Sequence, residues 1–482
     1  WSGTLIDPTS RSNLSVGIHP DSSSVGLKPD LQQFPSPLTP PARNSRDTSS
    51  PARAQFRTTA PRQKAGIKPR ASRIAQRRCA NNRWDMEAIR PQQRIEVVDV
   101  LRGYALMGLF LIHMVEYFEL YWYQPEPSLV NTITFWFFGG KSYAMFALLF
   151  GVSFFIIMES RSRKGVDFRG RFMWRLVVLF GLGFIHALIY GGDILQILAI
   201  TGLLLVPLYR ASNGTILSIA LFFIFQGPAW ITYALANTAG LNYETPLHAG
   251  LHPKVFEVYA HGSFLEVLRT NLWQGQAAKW AFMIESGRIW NIIGLSLFGF
   301  VLARVKFFTD VGRYKPLYVK ALVVSLVLAV VCHFFGSDLV ALGGESRSRW
   351  ILGHVMSAYG NHTLIAASLL ILMLLYYTAV GKVLRVLAPC GRISLTIYVS
   401  QAFLLVPFFY GYGVGAYAFI GQPLSLTFGV VLWCLQVAFA HYWIRNYYYG
   451  PFEWLWRAAT FLRTDVPFIR RAGNLEPAPA SA

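Results

Sequence analysis

The sequence predicts an all-α, polytopic transmembrane helix bundle of about ten spans, and three observations carry that expectation. Only 14% of the 482 residues are charged, while 54% are hydrophobic and 15% aromatic; soluble domains hold roughly 25% charged residues. Beyond residue 94, apolar runs of about 20 residues recur, the length a helix needs to cross ~30 Å of hydrocarbon. The connections between these runs are alternately basic and nearly uncharged, as the positive-inside rule asks of a chain that crosses a membrane repeatedly.

The first stretch, residues 1–85, is rich in Ser, Pro and Arg, as in PSPLTPPARNSRDTSSPARAQ (35–55). Such a composition buries too little apolar surface to offset its ordering entropy. It lacks the apolar core of a signal peptide, although abundant Arg and Ser with few acids would also suit a transit peptide. The chain starts with Trp1 and its first methionine is Met86. The simplest expectation is that Met86 is the true start and that residues 1–85 are an upstream extension of the reading frame. Residues 94–462 form the membrane domain, and 463–482 read as a flexible C-terminal tail.

Ten spans are expected at 99–122, 134–158, 172–191, 193–209, 215–235, 287–304, 316–335, 353–379, 391–411 and 423–444. The third and fourth meet at YGGD (190–193) and read as a tight helical hairpin. The longest connection, 236–286, is partly amphipathic, for example FLEVLRTNLWQGQAAKWAF (264–282), and is expected to lie on the membrane surface or to cap the bundle. Every even-to-odd connection is basic: six Lys/Arg in 159–175, then Arg210, the stretch 304–315, Lys382 with Arg385 and Arg392, and Arg445, Arg457 and Arg463. Both termini are therefore expected on the cytoplasmic side.

The net charge of +20 does not point to nucleic acid. Residues 1–85 carry 14 Lys/Arg and 5 Asp/Glu, which is +9 of the total, and the remainder sits mostly in short loops. Cys79, Cys332, Cys390 and Cys434 form no C-x-x-C pair, so neither a disulfide framework nor a zinc site is expected. His248 and His252 have i,i+4 spacing, but Gly250 and Pro253 argue against a regular helix there, and no metal is expected. No G-x-S-x-G, P-loop or G-x-G-x-x-G occurs, which removes serine-hydrolase, NTPase and dinucleotide readings.

What remains is a set of ionisable residues inside spans. In DVLRGYALMGLFLIH (99–113), Arg102 and His113 are eleven positions apart, which places them within about 20° of one helix face and ~16 Å apart along it. Asp99 and Glu116 lie within about 60° of that stripe. Such groups usually face a bundle interior or a wet cavity, because exposure to lipid costs several kcal/mol. A bland alternative has Arg102 snorkelling beside Asp99 and His113 bonded to a carbonyl. Lys141, His186, Asp193 and Arg288 are further candidates for a shared cavity, with Glu285, Asn291, Asn361 and Gln401 as helix–helix glue.

The stretches RIEVVDVLRGYALMG (94–108), HALIYGGDILQILAITG (186–202), GRIWNIIGLSLFG (287–299), GRISLTIYVSQ (391–401) and YGPFEWLWR (449–457) together resemble the YeiB-like bacterial membrane proteins. That family is defined by a C-terminal domain of unknown function 418, and the resemblance spans 94–460. The first span also resembles the start of the wider membrane acyltransferase superfamily, which includes the type 3 acyltransferases and the heparan glucosaminide N-acetyltransferases. Type 3 enzymes carry Arg, ten residues, then His, a spacing matched by Arg102 and His113. They also carry Arg-x-x-Arg; Arg171 and Arg175 stand one residue further apart.

The resemblance implies a multi-pass protein of the bacterial inner membrane. It also implies acyl transfer from acyl-CoA, acetyl-CoA for instance, to a small-molecule or glycan acceptor. In that reading Arg171 and Arg175 hold the donor, His113 is the base or acyl carrier, and Asp99 orients Arg102. The alternative is a small-molecule transporter or efflux protein using the same polar cavity, with Asp99, Glu116 and His113 as a proton relay. A third is a non-catalytic membrane scaffold.

Overall fold

The computed structural model describes residues 95–238, 246–342 and 346–470; the expectations for residues 1–85 and for the start at Met86 fall outside them. Among the described residues every named element is helical, and the one extended pairing is a single antiparallel bridge between Tyr447 and Ile469.

Helix α1 (Glu96–Val115) is the hub. It packs on α2 (Leu129–Phe138), α3 (Lys141–Ser162), α15 (Ala388–Arg392), α16 (Ser394–Phe409) and α17 (Gln422–Asn446). Leu101, Leu106, Phe110 and Met114 lie at the centre of one continuous core. Hydrophobic residues on every face of α1 suit a span surrounded by protein.

Helices α4 (Arg169–Ile189) and α5 (Leu195–Leu208) form the expected hairpin across YGGD. Helices α6 (Asn213–Ile224) and α7 (Gly227–Thr238) follow. Then come α8 (Leu247–His261), α9 (Phe264–Leu272), α10 (Gln274–Glu285) and α11 (Arg288–Arg304). A hairpin of α12 (Val311–Ala341) and α13 (Ser346–Tyr376) precedes the short α14 (Gly381–Leu384) and α15, and the described chain closes with α16, α17 and α18 (Pro451–Phe461). Helix α12 exposes Val323, Val327, Val330 and Phe334, a surface that hydrocarbon solvates and water does not.

The span count changes in detail. Six apolar segments are long enough to cross a membrane unbroken, and three more are helix pairs bent at a short break, for nine at most among the described residues. The pairs are Asn213–Ile224 with Gly227–Leu235, bent by 51°, Gln274–Glu285 with Arg288–Arg304, bent by 65°, and Gly381–Arg392 with Ser394–Phe409, bent by 75°. The tenth expected span is α5, which has only 14 residues and so reaches ~21 Å. The expected span 215–235 runs through the first break, whereas the expected spans 287–304 and 391–411 begin at or beside the second and third.

Three further expectations are corrected. The connection 236–286 is not wholly a surface segment, since α10 forms an apolar bent pair with α11. His248 and His252 stand on a regular helix, with Pro253 inside α8; Pro253 lies in its second turn, where little helix precedes the ring that it must clear. The C-terminal stretch is docked as far as Arg470: Tyr448 N donates to Phe468 O at 2.9 Å and Arg470 N to Asn446 O at 2.9 Å, and Phe468 packs on Trp443, Tyr447 and Trp454.

Close helix contact at the core depends on small residues. A Cβ added to Gly151 of α3 would lie 1.8 Å from Ser296 O of α11, and one added to Gly299 would lie 2.0 Å from Leu148 O. Ser296 Oγ, between these two points, donates to Ala147 O at 2.9 Å.

Candidate functional site

Asp99, Arg102 and Ser153 meet where α1 crosses α3. Arg102 Nη1 donates to Asp99 Oδ1 at 2.8 Å, and Nη2 donates to Ser153 Oγ at 2.5 Å. Asp99 is buried, so the pair is held by protein rather than solvated. Both line a cavity of about 280 Å³.

The same wall holds Arg161 of α3, Arg175 of α4, Arg392 of α15, and Tyr449, Glu453 and Arg457 at the start of α18. Five arginines face two carboxylates there, an excess of three positive charges. Arg175 stacks on Trp456 with its guanidinium carbon 3.6 Å from the ring centroid. Its buried Nε makes no hydrogen bond to the described residues. The rest of the wall is largely apolar, with Leu106, Phe150, Phe154, Leu176 and Leu198, and Ile194 and Tyr398 also line it. The cavity is therefore amphiphilic, suited to an anionic head and an apolar tail.

Glu453 explains much of the YGPFEWLWR signature. Helix α16 has no side-chain cap from its own sequence. Glu453 supplies one from 58 residues away, accepting from Leu395 N at 2.7 Å, Thr396 N at 3.1 Å and Thr396 Oγ1 at 2.5 Å. A carboxylate at a helix N-terminus satisfies donors that otherwise lack partners.

A second polar group lies beyond the cavity, around the YGGD turn. His186 Nδ1 and Asp193 Oδ1 are 2.8 Å apart, and both residues are buried. Tyr190 donates to Glu119 Oε1 at 2.9 Å and stands 3.1 Å from His113 Nδ1. Tyr117, Phe118 and Glu119 all have positive φ, at 50°, 49° and 84°, a costly conformation for residues with side chains. It turns Glu119 back under α1 towards Tyr190. Gly192 leaves room for this approach, since a Cβ there would meet Glu119 Oε1 at 2.2 Å.

The candidate residues therefore fall into two groups, which corrects the expectation of one cavity. Asp99, Arg102 and Arg175 line the basic cavity, and His113 does not. The reason is rotational and local: His113 turns its ring towards Phe118 and Tyr190, with centroids 5.3 Å away in each case. Arg171 is also absent from the cavity wall; it donates to Thr460 O at 3.2 Å and lies over Phe461. The extra residue in Arg-x-x-x-Arg turns it by about 100° from the Arg-x-x-Arg position.

Lys141 does not line this cavity. Its Nζ donates to Phe135 O at 3.1 Å and Gly139 O at 2.9 Å, closing the end of α2. Glu116 accepts from Trp122 Nε1 at 2.7 Å. Arg288 lies over Phe282 and Tyr143, within electrostatic range of Glu116 and Glu119. His186 and Asp193, expected together, are together.

The sequence reading missed Ser153, Tyr190, Glu119 and Lys279, and used Arg161, Arg392 and Arg457 only as topological charges. Glu119 and Lys279 carried a signal, as ionisable residues at the ends of apolar runs. On α8, which is not among the candidate spans, His248 Nδ1 lies 2.6 Å from Oε2 of Glu285 at the end of α10. Burial, with His248 beside it, pushes His252 down to about 4.

With this geometry in hand, comparison with known proteins divides the chain in two. Residues 94–259 match the family model described as heparan-alpha-glucosaminide N-acetyltransferase, catalytic. Residues 302–463 match the model described as protein of unknown function DUF418. The chain is 24% identical over 403 residues to the uncharacterized protein YeiB of Escherichia coli (strain K12), covering 79% of this chain and all of that protein. It is also 25% identical over 413 residues to the uncharacterized protein YxaH of Bacillus subtilis (strain 168), covering 78% of this chain and 97% of the relative. A 39.9 kDa protein from the amylase 3' region of Bacillus acidopullulyticus is 23% identical over 406 residues, with coverage of 81% and 100%. The basic cavity draws on both matched regions: Asp99, Arg102, Arg161 and Arg175 come from residues 94–259, and Arg392, Glu453 and Arg457 from residues 302–463.

Proposed function

We propose that this multi-pass protein lies in the bacterial inner membrane and transfers an acyl group from cytoplasmic acyl-CoA to a small-molecule or glycan acceptor on the other side. The observation that carries this reading is the amphiphilic cavity, whose five arginines suit the phosphates of coenzyme A and whose apolar wall suits the pantetheine arm and acyl group. The acetyltransferase-like match over residues 94–259 supports it. Orientation with the basic mouth facing the cytoplasm follows from the positive-inside rule.

In this scheme Arg102, fixed by Asp99 and Ser153, and Arg175, braced on Trp456, hold the donor. Glu453 fixes the start of α16 at the mouth. His113 and Glu119, linked through Tyr190, connect the buried polar group with the acceptor side. The test is calorimetric titration of acetyl-CoA into the purified protein and its Arg102→Ala variant. Saturable binding that weakens roughly 10- to 100-fold in the variant is expected, the worth of one charge-assisted hydrogen bond of about 1.5–3 kcal/mol. No binding to the wild type would remove the proposal.

Transport is the second reading, and one observation favours it: three helix pairs bend within apolar segments, and broken helices are a common feature of transporter binding sites. Proton-driven uptake into proteoliposomes without acyl-CoA would put transport first.

A further inference from the structure

We infer that His186, oriented by Asp193, is the general base that takes the acceptor proton; the inference rests on the acyl-transfer reading and replaces His113 in that role. Three observations place the base here. First, Asp193 holds the histidine in one tautomer. In the neutral imidazole, donation from Nδ1 to the Asp193 carboxylate across the 2.8 Å contact leaves the lone pair on Nε2. Asp193 is itself fixed, because its Oδ2 accepts from Gln196 N at 3.2 Å in the first turn of α5.

Second, His186 Nε2 makes no hydrogen bond to the described residues, although His186 is only 2% exposed. A buried polar atom without a partner is costly, and such atoms gather at this turn. Lys279 Nζ and the Tyr410 hydroxyl are also buried without hydrogen-bond partners, and Lys279 is within electrostatic range of Asp193 and Glu119. An acceptor hydroxyl or amine would give His186 Nε2 the partner that it lacks among the described residues.

Third, His186 lies against a residue of the cavity wall: Tyr398 lines the amphiphilic cavity, and the Tyr398 and His186 rings are 5.2 Å apart between centroids. Tyr398 is held by Ile194 N, which donates to its hydroxyl at 3.3 Å, so the residue after Asp193 ties the dyad to that wall. His113 packs instead on Phe118 and Tyr190, neither of which lines the cavity.

The step balances without a further reactant. His186 Nε2 takes the proton from an acceptor O–H or N–H as that oxygen or nitrogen bonds to the thioester carbonyl carbon. The carbon–sulfur bond then breaks, and the imidazolium returns the proton to the leaving thiolate, releasing coenzyme A as the thiol. Asp193 acts as a positioning residue through the tautomer and the transient imidazolium.

The experiment is thiol release from acetyl-CoA in proteoliposomes, with glucosamine as the amine probe and glycerol as the hydroxyl probe, alongside calorimetric acetyl-CoA binding. For His186→Ala, kcat is expected to fall at least 100-fold while acetyl-CoA binding stays within threefold of wild type. Asp193→Asn, nearly isosteric, is expected to lower kcat at least tenfold with an unchanged KM for acetyl-CoA. Retained turnover in His186→Ala, or an Asp193→Asn effect confined to KM, overturns the assignment while leaving acyl transfer standing. A wild-type protein that releases no thiol with either probe overturns the acyl-transfer reading and this inference with it.

Discussion

Removing the Glu453 side chain tests whether the tertiary cap on α16 holds the DUF418 end of the bundle in place. Glu453→Ala leaves Leu395 N and Thr396 N without their acceptor, at the start of a helix that has no cap of its own. Each buried N–H left unsatisfied costs about 1–3 kcal/mol, and the lost Thr396 hydroxyl bond adds about 1 kcal/mol. The sum, reduced by whatever water enters the cavity, is a destabilisation of about 3–5 kcal/mol. Glu453→Gln retains a carbonyl acceptor for both amides but loses the charge, so it should cost about 1–2 kcal/mol. The assay is denaturant titration of the protein in mixed detergent micelles, comparing unfolding midpoints at constant slope. A Glu453→Ala protein within 1 kcal/mol of wild type would refute the capping argument. So would a Gln variant as damaged as the Ala variant, because then the side chain's volume and not its acceptor oxygens would be what matters.

Three other outcomes follow from the same geometry. Gly151→Ala should destabilise the protein by about 2–3 kcal/mol in the same titration, because the new methyl would sit 1.8 Å from Ser296 O and force α3 and α11 apart. Arg175→Ala should weaken acetyl-CoA binding roughly tenfold or more by calorimetry, whereas Arg171→Ala, outside the cavity wall, should change it less than threefold. His252 has its folded-state value lowered from 6.5 to about 4, mainly by burial. The folded protein therefore binds that proton less readily than the unfolded chain, so its contribution to stability is full above about 6.5 and is lost as pH falls through about 4. Thermal midpoints measured from pH 7 to 4 should fall, and His252→Phe should flatten part of that fall.

How much of this was legible in the sequence differs from residue to residue. The Arg102–Asp99 pair was readable because both lie on one helix, where spacing fixes direction. His186 and Asp193 were readable as neighbours because YGGD is short enough to leave their helices no other arrangement. Lys141 was not, since the carbonyls that hold it belong to the preceding turn of chain and become available only once α2 ends at Gly139. His113 was misplaced for a similar reason: helical spacing gives the face on which a side chain leaves α1, and Tyr190, arriving from α4, decides which way the ring then turns.

Composition and hydrophobic period by themselves determined that the chain is helical and crosses a membrane several times, because the cost of unpaired backbone in hydrocarbon leaves few alternatives. They also determined where apolar segments lie and which loops are basic. Only the tertiary structure decided that five arginines from five helices share one cavity, that Glu453 caps a helix 58 residues away, and that His186 Nε2, beside Tyr398 of the cavity wall, is buried with no hydrogen bond to the described residues. Those facts join residues distant in sequence. Local spacing carries no information about them, because each depends on how helices pack against one another after they have formed.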